Sequence, residues 1–550
     1  MRRDLGAMSQ AEHDILVVGG GVVGCGIARD AALRGMDVAL VEQNDFGWGT
    51  TARSTRMAHG GLRYLEQYDF GMVREGLRER ERLLRLAPHL VRPLEFLTPI
   101  YDGDPHGPLT VRLGMFLYDA LSRSRLVPRH RMLSPREVLK LEPGLARKGL
   151  RGGATYYDGQ INMPERLCID CLLDATQHGA QVANRAHVLR LTQAADGRVT
   201  GAVVRDLLNG ASYEVRARVT INATGPWADA LIGIVKPGAA RRLRTTKGIH
   251  LVVPRFSSRA VVMLAKRDDR LFFAVPWLGV SLVGTTDTDY ANDPGEAIAD
   301  EEDVRYLVDE TSRVFPGADL GAIHYTVAGV RPLVLPRGRL SPSRTSRRHQ
   351  VVDHAREGLP GLISVLGGKI TTYRAVAEDA VDVATRWLGV NAPCVTAEAP
   401  LGGGVIADVD ALVDEAARDA GSSCGLTREQ AANLVSTYGL RYAAVASLAA
   451  KHAELRLPVI ADGPEVLAQV RYAVAEEMAL SVSDVMLRRT GMGLRPGNGL
   501  AAARRVAEVM ADVLGWDEAR VTAEVERYQA DLYLMRGGLA GQVGSTAGPA

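Results

Sequence analysis

The stretch HDILVVGGGVVGCGIARDAALRGMDVALVEQ, residues 13–43, constrains the fold more than any other part of the chain. Asp14 to Val18 reads as a short buried strand, the glycines turn the chain, a helix runs to about Arg34, and DVALV forms the next strand, ending at Glu42. Gly19, Gly21 and Gly24 stand in G-x-G-x-x-G spacing within this βαβ unit. The first glycine allows the tight turn, the second lets backbone approach a pyrophosphate, and the third permits close helix–strand packing. The helix N-terminus then offers unpaired N–H groups to the phosphates. Glu42 falls eighteen residues after Gly24, where a carboxylate can accept hydrogen bonds from an adenosine ribose and disfavours a 2′-phosphate. The unit predicts a dinucleotide site, argues against NADP, and leaves FAD and NAD open.

Two distant segments repeat this logic. NDFGWGTTARSTRMAHGGLRYLEQ, residues 44–67, is too rich in Gly, Ser, Thr and Arg for a core element and reads as backbone wrapped around a ligand. Thr51, Ser54 and Gly60 are its candidate cofactor contacts. Near residue 370, the apolar LISVL runs into Gly367, Gly368 and Lys369, and a helix starts at about Thr371, aiming its N-terminus and a lysine at something electron-rich. Between them, VTINATGPWADAL predicts a strand ending at Asn222-Ala223-Thr224-Gly225, with Pro226 opening a helix. Loops at the carboxyl ends of several strands of one sheet can enclose a ligand, which adds Ala223, Gly225, Gly368, Lys369 and Thr371 to the cofactor set.

At about 150 residues per domain, 550 residues correspond to roughly three to four domain-sized units. The 66 basic and 64 acidic residues leave a formal charge of +2, without the clustered basic excess of a nucleic-acid footprint. MRRDLGAMSQAEHD lacks the apolar run of a secretory signal, and no window approaches the roughly 18 apolar residues of a membrane span. Five cysteines, an odd number, do not make a disulfide framework and point to a reducing cytoplasm. Cys168 and Cys171 have CxxC spacing, but apolar residues recur around them at helical intervals and no second Cys or His pair lies nearby. They read as buried helix thiols, and no metal site is expected.

The order GGGVVGCGIARDAALRG, HGGLRYLE, NATGPW, KGIHLVVP, VGTTDTDY, AGVRPL and LGGKITTYR resembles that of FAD-dependent glycerol-3-phosphate dehydrogenases, within the D-amino-acid-oxidase-like flavoprotein group. The match runs from about residue 14 to 395, and a helical region similar to the family's cap continues to about 535. HGGLRYL, GVRPL and GGKITTYR together are specific. The resemblance implies FAD rather than NAD, and an α/β fold in which a Rossmann-type FAD-binding domain is interleaved with a mixed-sheet substrate domain, plus an α-helical C-terminal cap. The expected division is a polar tail over 1–13, the interleaved domains over 14–395 with the substrate part mainly at 96–150 and 235–325, a helical domain over 396–536, and a disordered tail over 537–550. The alternating LFFAVPWLGVSLVGTTDTDY suits a strand pair in the substrate sheet.

The implied substrate, glycerol 3-phosphate, brings nearly two negative charges, which permanently protonated groups must answer. Arg63, Arg331 and Arg347 are such groups, able to bind phosphate bidentately, and Tyr64 can add a neutral donor. Oxidising a secondary alcohol also needs a base for the hydroxyl proton. The resemblance places His59 and His250 near the flavin; His59 is the favoured base and His250 the next candidate. Lys369 is expected to hold positive charge beside the alcohol oxygen and the flavin, and Thr286 is a hydroxyl neighbour of the substrate. The resemblance further implies membrane quinone as electron acceptor, with oxygen, as in the related glycerophosphate oxidases, as the alternative. The oxidases carry an added segment ahead of GGK, whereas here only the short basic RGRLSPSRTSRRHQVVDHAREGLPG separates GVRPL from GGK. A cytoplasmic protein peripheral on the inner face of the cell membrane follows, with arginines of RLVPRHRMLSPREVLK available to anionic lipid and a homodimer allowed. A non-catalytic flavin-binding protein has no need of Arg63, Arg331 and Lys369 together, and an amine-oxidising relative is expected to bind a carboxylate instead of a phosphate.

Overall fold

The computed structural model describes residues 1–62, 65, 68–122, 126–335 and 348–539. Its first sheet is built on the predicted βαβ unit. The strand Glu12–Val18 pairs in parallel with Val38–Val41 on one side and Ser212–Asn222 on the other. The sheet continues through Leu362–Leu366 and Gln350–Asp353 at one edge and Gln181–Ala183 at the other. The hairpin Ala186–Gln193 and Val199–Asp206 joins the outer part of Ser212–Asn222. Strands buried on both faces read as unbroken apolar runs, and Ile15 to Val18 and Val38 to Val41 are such runs, with helices on one face and the hairpin Ala186–Gln193/Val199–Asp206 with the N-terminal Leu5 and Met8 on the other. Val22–Leu33, Pro164–Gln177 and Tyr373–Leu388 share one apolar core with them.

The second sheet runs in the order Thr288–Asp289, Leu243–Pro254, Val280–Gly284, Leu271–Trp277, Ala260–Leu264, Val91–Tyr101, Leu150–Ile161 and Met57–Ala58. Tyr325–Val334 pairs with Leu243–Pro254 along ten consecutive positions. The strand pair expected in LFFAVPWLGVSLVG is present, closed by Leu278 and Gly279, both with positive φ. This sheet reaches beyond the expected 96–150 and 235–325, because Leu150–Ile161 and Tyr325–Val334 supply strands from outside those limits. Strand pairing crosses what looked in sequence like domain edges.

Six helices, Val409–Cys424, Arg428–Tyr438, Tyr442–Lys451, Leu467–Glu477, Ala503–Leu514 and Glu518–Asp531, surround a separate core toward the C-terminus. Both expected tails depart from the sequence reading. Leu5–Gln10 is a helix capped by Asp4, with Leu5 and Met8 buried, so the N-terminal residues are docked. At the other end Leu539 is buried and the Gly537 carbonyl accepts from Thr326 Oγ1 at 3.1 Å, which ties 537–539 to the second sheet; residues 540–550 lie outside the described residues. Short apolar segments flanked by polar residues hide this docking from a composition-based reading. Cys168 and Cys171 are buried thiols of the helix Pro164–Gln177.

Buried ion pairs fasten the helical domain to the first sheet. Asp45, in the loop after Val38–Val41, accepts from Arg488 Nε at 2.6 Å and from Arg489 Nη1 and Nη2 at 2.8 and 3.0 Å, while Asn184 Nδ2 donates to it at 3.0 Å. The two guanidiniums hold the Asp45 carboxyl far below the usual carboxylate range against the opposing effect of burial. Arg166 adds a second tie, donating to Glu477 at 2.7 Å and to the Thr437 carbonyl at 3.1 Å. Breaking a buried pair leaves an uncompensated charge and costs about 3–5 kcal/mol, whereas exposed pairs contribute about 1 kcal/mol or less. Asp45→Asn is therefore expected to lower stability to urea by that larger amount, and Asp414→Asn, whose partner Arg428 is 68 % exposed, by the smaller. Equal losses in the two unfolding curves would refute the clamp.

Candidate active site

A cavity of about 750 Å³ lies between the two sheets. One end is the βαβ turn. Gly19 has φ +110°, and a Cβ there would meet the Ala223 carbonyl at 2.7 Å; a Cβ on Gly24 would come within 1.9 Å of the Gly19 carbonyl oxygen. Gly21 differs, since its Cβ would meet nothing nearer than Thr51 Oγ1 at 3.7 Å, and it faces the cavity. Glu42 lines the same end and accepts from the amides of Gly20 at 2.6 Å and Asn44 at 2.7 Å. Burial raises its pKa, and the two amide bonds oppose the shift. Ala186 and His187 line the cavity with it. Thr51 Oγ1 accepts from Val22 N at 3.1 Å, pinning residues 44–62 to the start of the helix Val22–Leu33. Thr50 donates to the Val330 carbonyl at 2.7 Å and anchors the same loop to the second sheet. Ser54, Ala223 and Gly225 also line the wall.

At the far end, Gly367, Gly368 and Lys369 form the wall where Leu362–Leu366 passes into the helix Tyr373–Leu388. Gly367 and Gly368 have positive φ, 73° and 103°, which turns the chain around the cavity. His59 lines the cavity opposite, and its amide donates to Thr371 Oγ1 at 3.1 Å. Two expected cofactor contacts thus sit behind the wall instead of in it. Thr371 is buried and braces the His59 backbone. Gly60 donates to Tyr118 Oη at 3.0 Å, and any side chain there would strike Leu77 and Tyr118, so packing accounts for this glycine.

Arg331 reaches the cavity from the strand Tyr325–Val334. Its Nη2 donates to Thr285 Oγ1 at 2.7 Å and to the Thr286 carbonyl at 3.2 Å, and Nη1 lies 3.3 Å from Asp287 Oδ1. Gly248, two positions along the strand from Thr246, the ladder partner of Arg331, leaves room for the guanidinium: a Cβ there would sit 2.0 Å from Nη2. Thr286 is in the wall; its Oγ1 accepts from the Ile249 amide at 3.1 Å, which braces a strand and leaves its O–H able to donate. His250 is buried; its Nε2 is 2.9 Å from Thr55 Oγ1, and its Nδ1 has no hydrogen-bond partner among the described residues. Burial, followed by Arg331 and Arg56, pushes its pKa down to about 3, so the ring is neutral at ordinary pH. Arg63, Tyr64 and Arg347 lie outside the described residues.

Sequence reasoning missed two cations. Arg56 is buried, paired with both oxygens of Glu165 at 2.9 and 3.0 Å and stacked 4.3 Å over Trp277, so it holds the loop in shape. Arg53 lines the cavity, lies 4.6 Å over the Trp48 ring, and is pushed down to about 10 by burial and by Arg488. A guanidinium stays charged in proteins, so this desolvation marks a place where an anion would be favoured. The one available signal was the TTARSTR run, in which nothing distinguishes a wall arginine from a buried one.

Residues 14–374 match the family of FAD dependent oxidoreductases, and residues 394–521 match the C-terminal domain of alpha-glycerophosphate oxidase. A glycerol-3-phosphate dehydrogenase of Synechocystis is 38% identical over 542 residues, covering 96% of this chain and 97% of its own length. The aerobic glycerol-3-phosphate dehydrogenase of Staphylococcus aureus is 33% identical over 534 residues, 94% of either chain. The structure of the glycerol-3-phosphate dehydrogenase from Bacillus halodurans complexed with FAD superposes with a TM-score of 0.80 at 30% identity, covering 97% of both chains. The chain belongs to the FAD-dependent glycerol-3-phosphate dehydrogenase family. FAD is its cofactor. The residues present fit that group: an open Gly21, a helix N-terminus beneath it, a carboxylate at the end of the second strand, and, in the cavity wall, His250 Nδ1 without a hydrogen-bond partner among the described residues.

The glycines separate cofactor space from protein space. Gly21→Val fills room that only a ligand needs, so the family member should fold, with unchanged far-ultraviolet circular dichroism, and purify colourless. Gly24→Val collides with Gly19 and should lose folded yield. A yellow, fully loaded Gly21→Val would overturn the assignment.

Proposed function

We propose that the protein oxidises sn-glycerol 3-phosphate to dihydroxyacetone phosphate and delivers the electrons to membrane quinone. The observation that carries the substrate is Arg331, a permanent cation in the cavity wall, fixed by Thr285 and Asp287 at an edge where a phosphate can meet it. Its guanidinium binds the phosphate and fixes the carbinol carbon at a set distance from His59 and Lys369. Arg63, Tyr64 and Arg347 complete the phosphate site in this proposal.

Bound FAD supplies the hydride acceptor. The chain supplies the rest. His59 takes the hydroxyl proton, its backbone steadied by Thr371. A base as weak as His250, with a pKa of about 3, holds little affinity for that proton near neutrality, which favours His59 in the role. His250 instead offers a neutral ring nitrogen as a hydrogen-bonding partner to the bound ligands. Lys369 holds positive charge beside the oxygen that loses its proton.

Relatives named dehydrogenase at 33–39% identity support quinone as acceptor, as does the short chain between Arg331 and Gly367. The match of residues 394–521 to a domain named for an oxidase keeps oxygen as the second reading. Turnover with a soluble quinone should exceed peroxide release in air; the reverse outcome would assign an oxidase.

Adding glycerol 3-phosphate without air should bleach the yellow protein. Arg331→Ala should weaken this half-reaction by about 2–5 kcal/mol in kcat/KM for the phosphate ester, and leave the slow reaction of glycerol nearly unchanged; equal losses would make Arg331 structural. His59→Asn should slow bleaching by roughly 10²–10⁴ while binding of a non-reacting phosphate analogue is kept. Retention of the parent's rate would move the base elsewhere.

A further inference from the structure

Behind the loop that carries His59 lies a buried polar network that the proposed chemistry does not use. Gly60 donates its amide to Tyr118 Oη at 3.0 Å and, at 3.4 Å, to Asp158 Oδ1. Tyr118 comes from the helix Pro108–Ser122 and Asp158 from the strand Leu150–Ile161. The Tyr118 hydroxyl lies 2.9 Å from both Asp158 oxygens, and Arg80 Nη1, from the helix Phe70–Leu86, donates to Oδ1 at 2.7 Å. Arg80 also donates to the Tyr157 carbonyl at 3.0 Å and to Ser122 Oγ at 2.8 Å, so one guanidinium ties the three elements together. Tyr118, Asp158 and Arg80 are each no more than 2 % exposed. Gly76 lets the helix Phe70–Leu86 close on the same backbone, since a Cβ there would come within 3.0 Å of the Gly60 carbonyl oxygen.

We propose that Tyr118 is a positioning residue for the base: its hydroxyl fixes the peptide that follows His59, and Asp158 and Arg80 fix that hydroxyl in turn. The proposal rests on the reading of His59 as the proton acceptor. A phenol has one proton to give. Burial, and then Asp158, push the Tyr118 pKa well above the ordinary phenol range, so the oxygen keeps that proton. Donated to the Asp158 carboxylate, the proton leaves the oxygen's lone pairs to the Gly60 amide, and donation to an ion strengthens the bond at the other end of such a chain. The His59 amide is held separately, by Thr371 Oγ1 at 3.1 Å. Each of the two peptide planes that flank the His59 Cα is therefore fixed by a hydrogen bond. Because peptide units are rigid, this sets φ and ψ at His59 and with them the direction in which its side chain leaves the backbone. A base acts only within hydrogen-bond reach of the proton it takes, and an error of about 1 Å can cost roughly a hundredfold in rate.

Tyr118→Phe in the flavin-loaded full chain removes the acceptor of the Gly60 amide and leaves the buried pair of Arg80 with Asp158 in place. The limiting rate of anaerobic flavin reduction by glycerol 3-phosphate should fall by about ten- to a hundredfold. Flavin content and the dissociation constants of glycerol 3-phosphate and inorganic phosphate should stay at the parent's values. Thr371→Val, which removes the acceptor of the other amide, should show the same split between rate and binding. In a His59→Asn background, Tyr118→Phe should slow reduction no further, because the hydroxyl acts only through His59. A parental reduction rate in Tyr118→Phe would overturn the proposal, as would slowing by the same factor in both backgrounds, which marks a general structural defect. A His59→Asn variant that reduces at the parental rate would instead sink the base reading itself. Additive losses on top of a slow His59→Asn would leave that reading standing and remove only the positioning role.

Discussion

The contact between Gly24 and the Gly19 carbonyl sets the geometry from which the cofactor end of the molecule follows. With no room for even one carbon between them, the helix Val22–Leu33 starts directly over the end of Glu12–Val18. The helix N-terminus thereby lies at the cavity wall, which Gly21 and Val22 line, and Glu42 accepts from the Gly20 amide. Any looser packing would move the helix away from the phosphates it is placed to meet, because the field of a helix terminus fades within a turn. Thr51 then locks the following loop to the same helix, so a single steric contact orders the cofactor end and begins the path that leads to His59.

Charge is managed differently at the two ends of that path. Arg56, Arg166, Arg488 and Arg489 are buried and paired with carboxylates, and they serve as fasteners. Arg331 and Arg53 stand in the cavity wall, and Arg53 lies 3.5 Å from two carbonyl oxygens and 4.6 Å over an indole ring. A protein that keeps cations poorly solvated around a void is prepared for an anionic occupant. His250 shows the complementary device, a ring kept neutral by burial and neighbouring positive charge so that it contributes a dipole and no further charge.

The sequence made the cofactor end readable and the substrate end only partly so, for physical reasons. Gly19, Gly21, Gly24 and Glu42 act through local backbone geometry, and short-range spacing reports such geometry faithfully. His59, Lys369 and Arg331 come from segments that meet only through sheet topology; family likeness, not periodicity, brought them together. Gly60 and Thr371 show that a residue behind a wall and a residue in it can share the same motif. Thr286 was read as a hydroxyl neighbour of the substrate, and its contact with the Ile249 amide could not be read because that amide is far away in the chain. The docked ends, 1–13 and 537–539, were invisible because two or three buried side chains suffice to hold a segment that looks polar on average.

The clamp on Asp45 has a temporal consequence. Its partners Arg488 and Arg489 lie 443 and 444 residues downstream. During synthesis the loop that follows the second strand emerges early, and its carboxylate has no cationic partner from this clamp until nearly the whole polypeptide has left the ribosome. The clamp on the nucleotide-binding end of the molecule is thus begun first and finished last.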